Sequence, residues 1–203
     1  KASKETDLVL DIAAAPGSKT TQLASIMHNK GLIIANDVSY KRLRALAMNI
    51  QRLGITNTII TQTKGQYLKV EADKILLDAP CSGTGIIRKS PKTPLQWSQG
   101  LVKQMSSIQK GLIKIAFDNL KPKGTLVYST CSLEPEEDEA VVSYLLEKRE
   151  NAKLEKIKLP IKSSPCFTSF NKKTYSPEVK KCLRIWPQDN DTDGFFVAKI
   201  KRL

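Results

Sequence analysis

Two cysteines follow strand-like apolar runs, and their placement is the first sign of chemistry in this sequence. Cys81 lies in the segment Asp-Ala-Pro-Cys-Ser-Gly-Thr-Gly at residues 78–85, and Cys131 lies in Tyr-Ser-Thr-Cys-Ser-Leu at residues 128–133. Ligands bind at the carboxyl edge of a parallel sheet, so thiols at two strand ends are expected to reach a ligand. Burial in the core is the other interpretation of both cysteines.

A pair of thiols suits methyl transfer to a pyrimidine ring. Carbon 5 of a pyrimidine is too weak a nucleophile to attack a methyl sulfonium directly, but a thiolate that adds to carbon 6 makes carbon 5 enamine-like. After methylation the carbon 5 proton must leave and the thiol must be eliminated. A nearby base and a second thiol would therefore both be useful.

The segment Asp-Ile-Ala-Ala-Ala-Pro-Gly-Ser-Lys-Thr at residues 11–20 follows the first predicted strand and precedes a helix. A doubly wound sheet binds nucleotide-like ligands at this position. Gly17 is the one glycine in the segment, and no phosphate-binding Gly-Lys-Ser/Thr ending is present, so a ligand without a pyrophosphate fits better. Asp37 follows the second predicted strand, where a carboxylate can accept hydrogen bonds from a ribose. An adenosine-containing ligand is predicted; the alternative is a packing turn, with Asp37 capping the next helix.

Short apolar runs alternate with helical patterns, which predicts a mostly parallel α/β sheet with helices on both faces. Seven strands are predicted, at residues 8–12, 32–35, 58–61, 74–77, 125–128, 182–186 and 195–200. Helical spacing predicts one helix between the second and third strands, one at residues 101–120 with Ile108 on its buried face, and one after Pro135. Turn-rich residues 188–194 predict that the last two strands form a hairpin.

Charge and cysteine usage limit the class of protein. Lysine and arginine number 33 against 20 acidic residues, and the net charge of +13 favours nucleic acid ahead of a membrane as the partner. A merely lysine-rich surface is the alternative. Four cysteines without a Cys-x-x-Cys pair, and a single histidine, argue against a metal site and favour a reducing cytoplasm. We expect a cytoplasmic monomer that binds neither metal nor membrane.

Four motifs, in order along the chain, resemble the RsmB/Nop2/Sun family of RNA cytosine-C5 methyltransferases. They are Ala-Ala-Pro-Gly at 14–17, the Pro-Cys motif at 78–85, Ser-Thr-Cys-Ser at 129–132 and Asp-Gly-Phe-Phe at 193–196. The resemblance spans nearly the whole chain. It implies a single methyltransferase domain at residues 1–203 with a Rossmann-like class I fold, S-adenosyl-L-methionine as cofactor, and tRNA or rRNA as substrate. An RNA-binding segment is expected before this domain and outside this chain.

The resemblance also implies roles for individual residues. Cys131 matches the nucleophile of the family, and Cys81 matches the thiol that assists release of the methylated RNA. Asp78 is expected between the cofactor and the polar edge of the cytosine, while Lys19 orients the base or relays a proton. The expected cofactor-binding residues are Ala13, Ala14, Ala15, Pro16, Gly17, Ser18, Lys19, Asp37 and Asp78.

The sequence departs from the family after the third strand. The family places Gly-Asp there, and its acid meets the adenine amino group, whereas this chain has Thr-Lys-Gly at residues 63–65. Two other interpretations of the sequence stay open. One is a catalytically weak RNA-binding assembly factor that keeps the fold, and the other is a methyltransferase that acts on a substrate other than RNA.

Charged and aromatic residues near the motifs complete the predictions. Arg88, Lys89 and Lys92 are predicted to bind RNA phosphates, with a solvated loop as the alternative. Trp97 is predicted to be a hydrophobic anchor. The acidic run at residues 134–139 precedes a helix, so its charges are interpreted as favourable to the helix dipole and receive no catalytic role.

Overall fold

The structure is a computed structural model, and it describes residues 7–203. The chain divides into two compact units. The first unit runs to Asp78 and adds residues 115–126 and Arg202, and the second holds residues 79–114, residues 127–201 and Leu203.

The described residues form ten strands. Their bounds are β1 Leu8–Asp11, β2 Leu32–Asn36, β3 Thr58–Thr61, β4 Ala72–Asp78, β5 Leu120–Thr130, β6 Ala152–Glu155, β7 Ser169–Phe170, β8 Lys173–Thr174, β9 Leu183–Ile185 and β10 Phe195–Arg202. Eight of them belong to one sheet with the order β3-β2-β1-β4-β5-β10-β6, in which β9 pairs with β10. β7 and β8 form a separate two-stranded sheet.

Six α-helices lie between these strands. They are α1 Ser18–Ile26, α2 Tyr40–Arg52, α3 Thr93–Gln96, α4 Gln99–Asp118, α5 Glu139–Lys148 and α6 Pro187–Asn190. No helix within residues 7–203 is both long enough and apolar enough to cross a membrane. The mostly parallel sheet and its helices confirm the predicted Rossmann-like α/β class.

The first unit is built on parallel pairing. β1 pairs in parallel with both β2 and β4, and β2 pairs in parallel with β3. α2 follows β2 and begins after Ser39, whose side chain accepts a hydrogen bond from Arg42 N. Leu43, Leu46 and Ile50 share one face of α2 and pack in a buried cluster with alanines of the 11–20 loop. Burying each such side chain stabilises the fold by about 1.5–3 kcal/mol, so the cluster fixes α2 against the loop.

The second unit contains the predicted C-terminal hairpin. β9 and β10 are antiparallel, with Phe195 opposite Ile185. Phe196 of β10 is fully buried and meets the ring of Tyr128 edge-on, with 6.4 Å between the ring centroids. This contact geometry is the favourable one for two aromatic rings.

The structure corrects three details of the predicted elements. β6 was not predicted, because it is a four-residue strand with Leu154 as its one buried residue. The β7–β8 hairpin was missed for the same reason, since each strand has two residues. α4 ends at Asp118, earlier than the predicted end at residue 120. The reason is that β5 begins at Leu120, earlier than the strand predicted at residues 125–128.

The buried face of α4 also differs from the prediction. Ile108 is exposed, while Ser106 and Gln109 are buried. Each polar side chain donates a hydrogen bond where it lies: Ser106 Oγ donates to Glu136 O at 2.6 Å, and Gln109 Nε2 donates to Pro80 O at 2.8 Å. Gln109 Oε1 is buried without a hydrogen-bond partner among the described residues. Hydrophobic periodicity predicted the wrong buried face for this helix. Polar side chains can be buried when hydrogen bonds to distant backbone oxygens compensate the cost of burial.

Candidate active site

The 11–20 loop starts from a buried carboxyl group at the end of β1. Thr20 Oγ1 donates to Asp11 Oδ2 at 2.7 Å, whereas Asp11 Oδ1 is buried without a hydrogen-bond partner in the described part of the chain. Burial raises the pKa of Asp11 to about 7. The sequence analysis did not single out Asp11, although a carboxylate at the carboxyl end of the first strand was the available signal.

Gly17 allows the loop to pass close to α2. Its φ is +109°, and a Cβ at this position would lie 2.6 Å from Leu46 Cδ1. Any other residue would therefore be strained and would clash with the helix. Ala14 and Ala15 are buried, whereas Pro16 and Ser18 are exposed, so the loop keeps one edge open to solvent.

Asp37 lies beside this loop, as the sequence predicted. Its Oδ2 accepts a hydrogen bond from Ala15 N at 3.3 Å, and its Oδ1 accepts one from Ser39 N at 2.9 Å. Arg42 Nη1 lies 3.1 Å from Asp37 Oδ2, and Arg42 Nη2 donates to Ala15 O. Asp37 thus ties the loop to the start of α2, but the N-cap residue of that helix is Ser39.

Lys19 and Asp78 also come together. Lys19 Nζ donates to Asp78 Oδ2 at 2.5 Å, and each side chain is about one third exposed. β1 and β4 are parallel neighbours, so the carboxyl ends of the two strands meet at one edge. Burial and the hydrogen bond from Thr20 are the two largest influences on the pKa of Asp11. The next two are the Asp78 carboxylate, which raises this pKa, and the Lys19 ammonium, which lowers it. Asp11, Lys19 and Asp78 therefore interact electrostatically.

The second unit brings the two predicted thiols into contact. Cys81 Sγ and Cys131 Sγ are 3.1 Å apart, neither cysteine forms a disulfide, and both are partly exposed. The hydrogen bond with Cys131, followed by burial, raises the pKa of Cys81 well above its ordinary value. Cys81 therefore keeps its proton at neutral pH and can donate it toward the sulfur of Cys131.

Glycines hold the backbone near Cys131. Gly85 N donates to Cys131 O at 2.8 Å, and Gly194 N donates to Gly85 O at 2.8 Å. A Cβ on Gly85 would lie 2.7 Å from Cys131 O, so a side chain there would push these segments apart. The predicted Asp-Gly-Phe-Phe motif thus supports the thiol site through its backbone.

The acidic run is largely buried, which the sequence analysis missed. Glu137, Asp138 and Glu139 are each 0% exposed. Arg184, also 0% exposed, lies 2.9 Å from Asp138 Oδ2 and 2.6 Å from Glu139 Oε2. Asp138 is the N-cap residue of α5 and Glu139 lies in its first turn, in line with the predicted position before a helix, but the burial of the three acids was not predicted. Buried charges need such partners, because an unpaired ion in the interior is costly.

The predicted RNA-contacting residues are exposed, but two of them are paired. Arg88 Nη2 lies 2.7 Å from Asp191 Oδ1, and Lys89 Nζ pairs with Asp193 Oδ2. Lys92 is exposed immediately before α3. The surface around this segment therefore mixes basic and acidic groups.

Trp97 is not the hydrophobic anchor that the sequence predicted. It is 48% exposed, and its Nε1 donates to Glu134 Oε1 at 2.9 Å. Among residues 7–203, no group of three or more histidine, cysteine or acidic side chains is arranged to hold a metal ion.

Comparison with known sequences places these motifs in a family. The family model described as 16S rRNA methyltransferase RsmB/F matches residues 2–201. The tRNA (cytosine(49)-C(5))-methyltransferase of Pyrococcus abyssi is 48% identical over 98% of this chain and 65% of its own length. The 25S rRNA (cytosine-C(5))-methyltransferase nop2 of Schizosaccharomyces pombe is 40% identical over 100% of this chain and 34% of its own length.

Solved structures show the same relationship. NSun6 from Pyrococcus horikoshii, solved with SFG, superposes with a TM-score of 0.85 at 37% identity, over 98% of this chain and 49% of that one. A methyltransferase homolog protein from the same organism gives a TM-score of 0.86 at 40% identity, over 100% of this chain and 63% of that one. The chain thus spans a third to two thirds of the length of these relatives. By sequence and by its Rossmann-like class I fold, the chain belongs to the RsmB/F family of methyltransferases.

Proposed function

We propose that this protein transfers a methyl group from S-adenosyl-L-methionine to carbon 5 of a cytosine in RNA, and that residues 1–203 form its catalytic domain. The observation that carries this proposal is the pair of thiols, Cys81 and Cys131, with 3.1 Å between their sulfur atoms. The relatives named above include a tRNA and an rRNA cytosine-C5 methyltransferase, so RNA is the substrate class that both share.

The first unit fits S-adenosylmethionine. The small residues of the loop at 13–19 let a ligand approach the backbone closely, and Asp37 and Asp78 offer carboxylates for ribose and amino groups. Asp11 lies at the start of the loop, and its buried Oδ1 has no hydrogen-bond partner among the described residues. When bound, the cofactor supplies a methyl group on a sulfonium. The residues proposed to hold it are Ala13, Ala14, Ala15, Pro16, Gly17, Ser18, Lys19, Asp37 and Asp78.

Cys131 is proposed as the nucleophile. Its thiolate adds to carbon 6 of cytosine, the S–C6 bond forms, and the displaced electron pair makes carbon 5 able to take the methyl group. Cys81 Sγ lies 3.1 Å from Cys131 Sγ, close enough to return a proton to that sulfur. After a base removes the carbon 5 proton, the S–C6 bond breaks, the C5–C6 double bond re-forms, and Cys81 protonates the departing sulfur.

Lys19 and Asp78 are proposed to serve the base of the target nucleotide. Asp78 is half-buried and can accept a hydrogen bond from an exocyclic amino group, while the Lys19 ammonium lies 2.5 Å from Asp78 Oδ2. Asp78 precedes Cys81 by three residues in the sequence.

RNA binding is proposed to use the net charge of +13 and the segment with Arg88, Lys89 and Lys92. To bind phosphates, Arg88 and Lys89 would have to leave their acidic partners, Asp191 and Asp193. Lys92 is exposed to solvent and is the third basic residue of this segment. Two of these contacts therefore have an internal competitor, which lowers their net gain on binding.

Methyl transfer to RNA tests the proposal. The full-length protein is incubated with radiolabelled S-adenosylmethionine and total tRNA or rRNA, and the product is digested to nucleosides. We expect labelled 5-methylcytidine in one RNA class, and Cys131→Ala should reduce it below detection. Cys166→Ala, which removes a buried thiol that the mechanism does not use, is the matched control and should keep most of the activity.

Cys81→Ala separates release from attack. This variant should accumulate a covalent protein–RNA adduct, seen as a band of reduced mobility in a denaturing gel. Normal turnover by Cys131→Ala would refute the nucleophile assignment. A wild-type protein that binds RNA and cofactor but transfers no label would instead indicate an assembly factor.

A further inference from the structure

We infer that Glu137 is a positioning residue for the two thiols: its buried carboxylate fixes the separation of Cys81 and Cys131 by binding the residue that follows each of them. The inference rests on the proposed function for its catalytic meaning, but its geometric content can be tested without any methyl transfer.

The carboxylate of Glu137 accepts four hydrogen bonds. Oε2 accepts from Ser82 N at 3.0 Å and from Gln109 Nε2 at 2.8 Å. Oε1 accepts from Ser132 Oγ at 3.0 Å and from Ser82 Oγ. Four bonds use the full acceptor capacity of an ionised carboxylate, and Glu137 is 0% exposed, so water does not compete for these donors.

These bonds join the segments that carry the thiols. Ser82 follows Cys81, and Ser132 follows Cys131, so one carboxylate holds both segments at once. The two serine hydroxyls are also only 3.2 Å apart. The shared acceptor therefore sets how closely the two backbones approach, and with them the sulfur atoms.

The residue before Cys81 is held through the same network. Gln109 Nε2 donates to Pro80 O at 2.8 Å as well as to Glu137 Oε2. Gln109 belongs to α4, so both this helix and Glu137 bind the segment that carries Cys81. Cys81 is thus held by its neighbours on both sides in sequence.

Cys131 is held in a similar way. Thr130 Oγ1 donates to Asp138 Oδ1 at 2.6 Å, and Ser132 N donates to Thr130 Oγ1 at 3.2 Å. Asp138 and Glu137 are consecutive in the chain, so two adjacent buried acids hold the residues on either side of Cys131. Such a network restricts the thiol more than any single bond would, because each member fixes its neighbours.

A neutral amide can replace the shape of Glu137 but not its four acceptor sites. In Glu137→Gln the amide oxygen can face Ser82 N and Gln109, and the amide nitrogen then faces the hydroxyls of Ser82 and Ser132. Both hydroxyls must turn to accept, so the charge-assisted bonds to the Ser132 side are lost. The fold should persist while the two thiol segments loosen.

The test measures whether the two sulfurs can bond to one atom. Phenylarsine oxide takes two thiols, forms two arsenic–sulfur bonds and releases one water, so its affinity depends on the separation and freedom of the thiol pair. Wild-type protein and Glu137→Gln are titrated with this reagent, and Cys81→Ala gives the background from the other thiols. Methyl transfer kinetics are measured on the same preparations.

We expect Glu137→Gln to bind phenylarsine oxide at least about tenfold more weakly, the loss that one charge-assisted hydrogen bond can produce. Its kcat should fall with KM nearly unchanged, since no RNA contact is removed. Tyr128→Phe is the matched control: it deletes a buried hydroxyl that donates to Glu137 O at 2.6 Å but leaves the carboxylate in place. This control should lose stability and keep the arsenical affinity.

Wild-type arsenical affinity in a folded Glu137→Gln protein would overturn the inference. If this variant does not fold, Ser132→Ala removes one arm of the network, and unchanged affinity there has the same meaning. If wild-type protein binds phenylarsine oxide more tightly than Glu137→Gln does but transfers no methyl group, the proposed function is refuted and the positioning role of Glu137 stands.

Discussion

Replacing Arg184 with methionine should destabilise the protein severely. Arg184 is fully buried; its Nε donates to Glu139 Oε1 at 2.9 Å, and its Nη2 lies 2.9 Å from Asp138 Oδ2. The substitution leaves two carboxylates in the interior without their shared cation. Removal of one partner from a buried ion pair costs about 3–5 kcal/mol, a large part of the roughly 5–15 kcal/mol that holds a typical domain folded.

The loss should depend on pH in a defined direction. Burial raises the pKa of Asp138 well above its ordinary value, and Arg184 opposes this rise. Without the guanidinium the pKa of the folded state rises further above that of the unfolded chain. A carboxyl group of this kind stabilises the fold fully below its unfolded pKa of about 3.9, and this contribution is lost as the pH rises through the folded pKa. The deficit of Arg184→Met therefore grows from about pH 4 toward neutral pH.

Urea denaturation followed by far-ultraviolet circular dichroism, at pH 5 and at pH 8, measures both effects. The control is the triple variant Arg184→Met, Asp138→Asn, Glu139→Gln. It should recover much of the loss, because the three substituted positions then carry no charge, and replacing an entire buried ion cluster is often nearly neutral. A loss below about 1 kcal/mol that is equal at both pH values would refute the reasoning, since surface pairs behave in that way.

Two further predictions concern the 11–20 loop. Gly17→Ala should lower the free energy of unfolding by about 1–3 kcal/mol, because the new Cβ meets Leu46 at a φ of +109°. Gly111 is the control, since it lies in a helix with open space around its Cβ position. Gly111→Ala should instead stabilise the protein by up to about 1 kcal/mol in the same denaturation assay. Asp11→Asn should abolish a fall in wild-type stability between about pH 4 and pH 7, worth up to roughly 4 kcal/mol, since the raised pKa of Asp11 keeps it protonated in the fold while the unfolded chain ionises. Parallel pH profiles for the two proteins would contradict the burial of an ionisable group there.

The sequence predicted the parts of the fold that depend on local patterns. β1 to β4 lie where short apolar runs placed them, because such runs are a strong local signal for the strands of a parallel sheet. The placement of Cys81 and Cys131 at one edge of the sheet followed from the rule that ligands bind where parallel strands end. This prediction required only the order of the elements, whereas the roles of Lys19 and Asp78 came from the family resemblance.

The buried acids could not be predicted in this way. Asp138 and Glu139 pair with Arg184 across 45 to 46 residues, and nothing in the local pattern distinguishes them from a solvated acidic run. The same holds for Gln109, whose partners lie in other segments. Polar residues become buried when a distant partner compensates them, so composition alone assigns them to the surface.

The backbone contacts of Gly85 have a consequence for the growing chain. Gly85 N reaches Cys131 O, and Gly85 O receives Gly194 N, so three segments that are far apart in sequence meet at one residue. Contacts between segments that are far apart in sequence form slowly, because closing a long loop costs conformational entropy. During synthesis, which proceeds from the N-terminus, we expect both cysteines to leave the ribosome well before Gly194 does. A nascent chain would therefore carry its thiols without the completed site, and assembly would wait for β10.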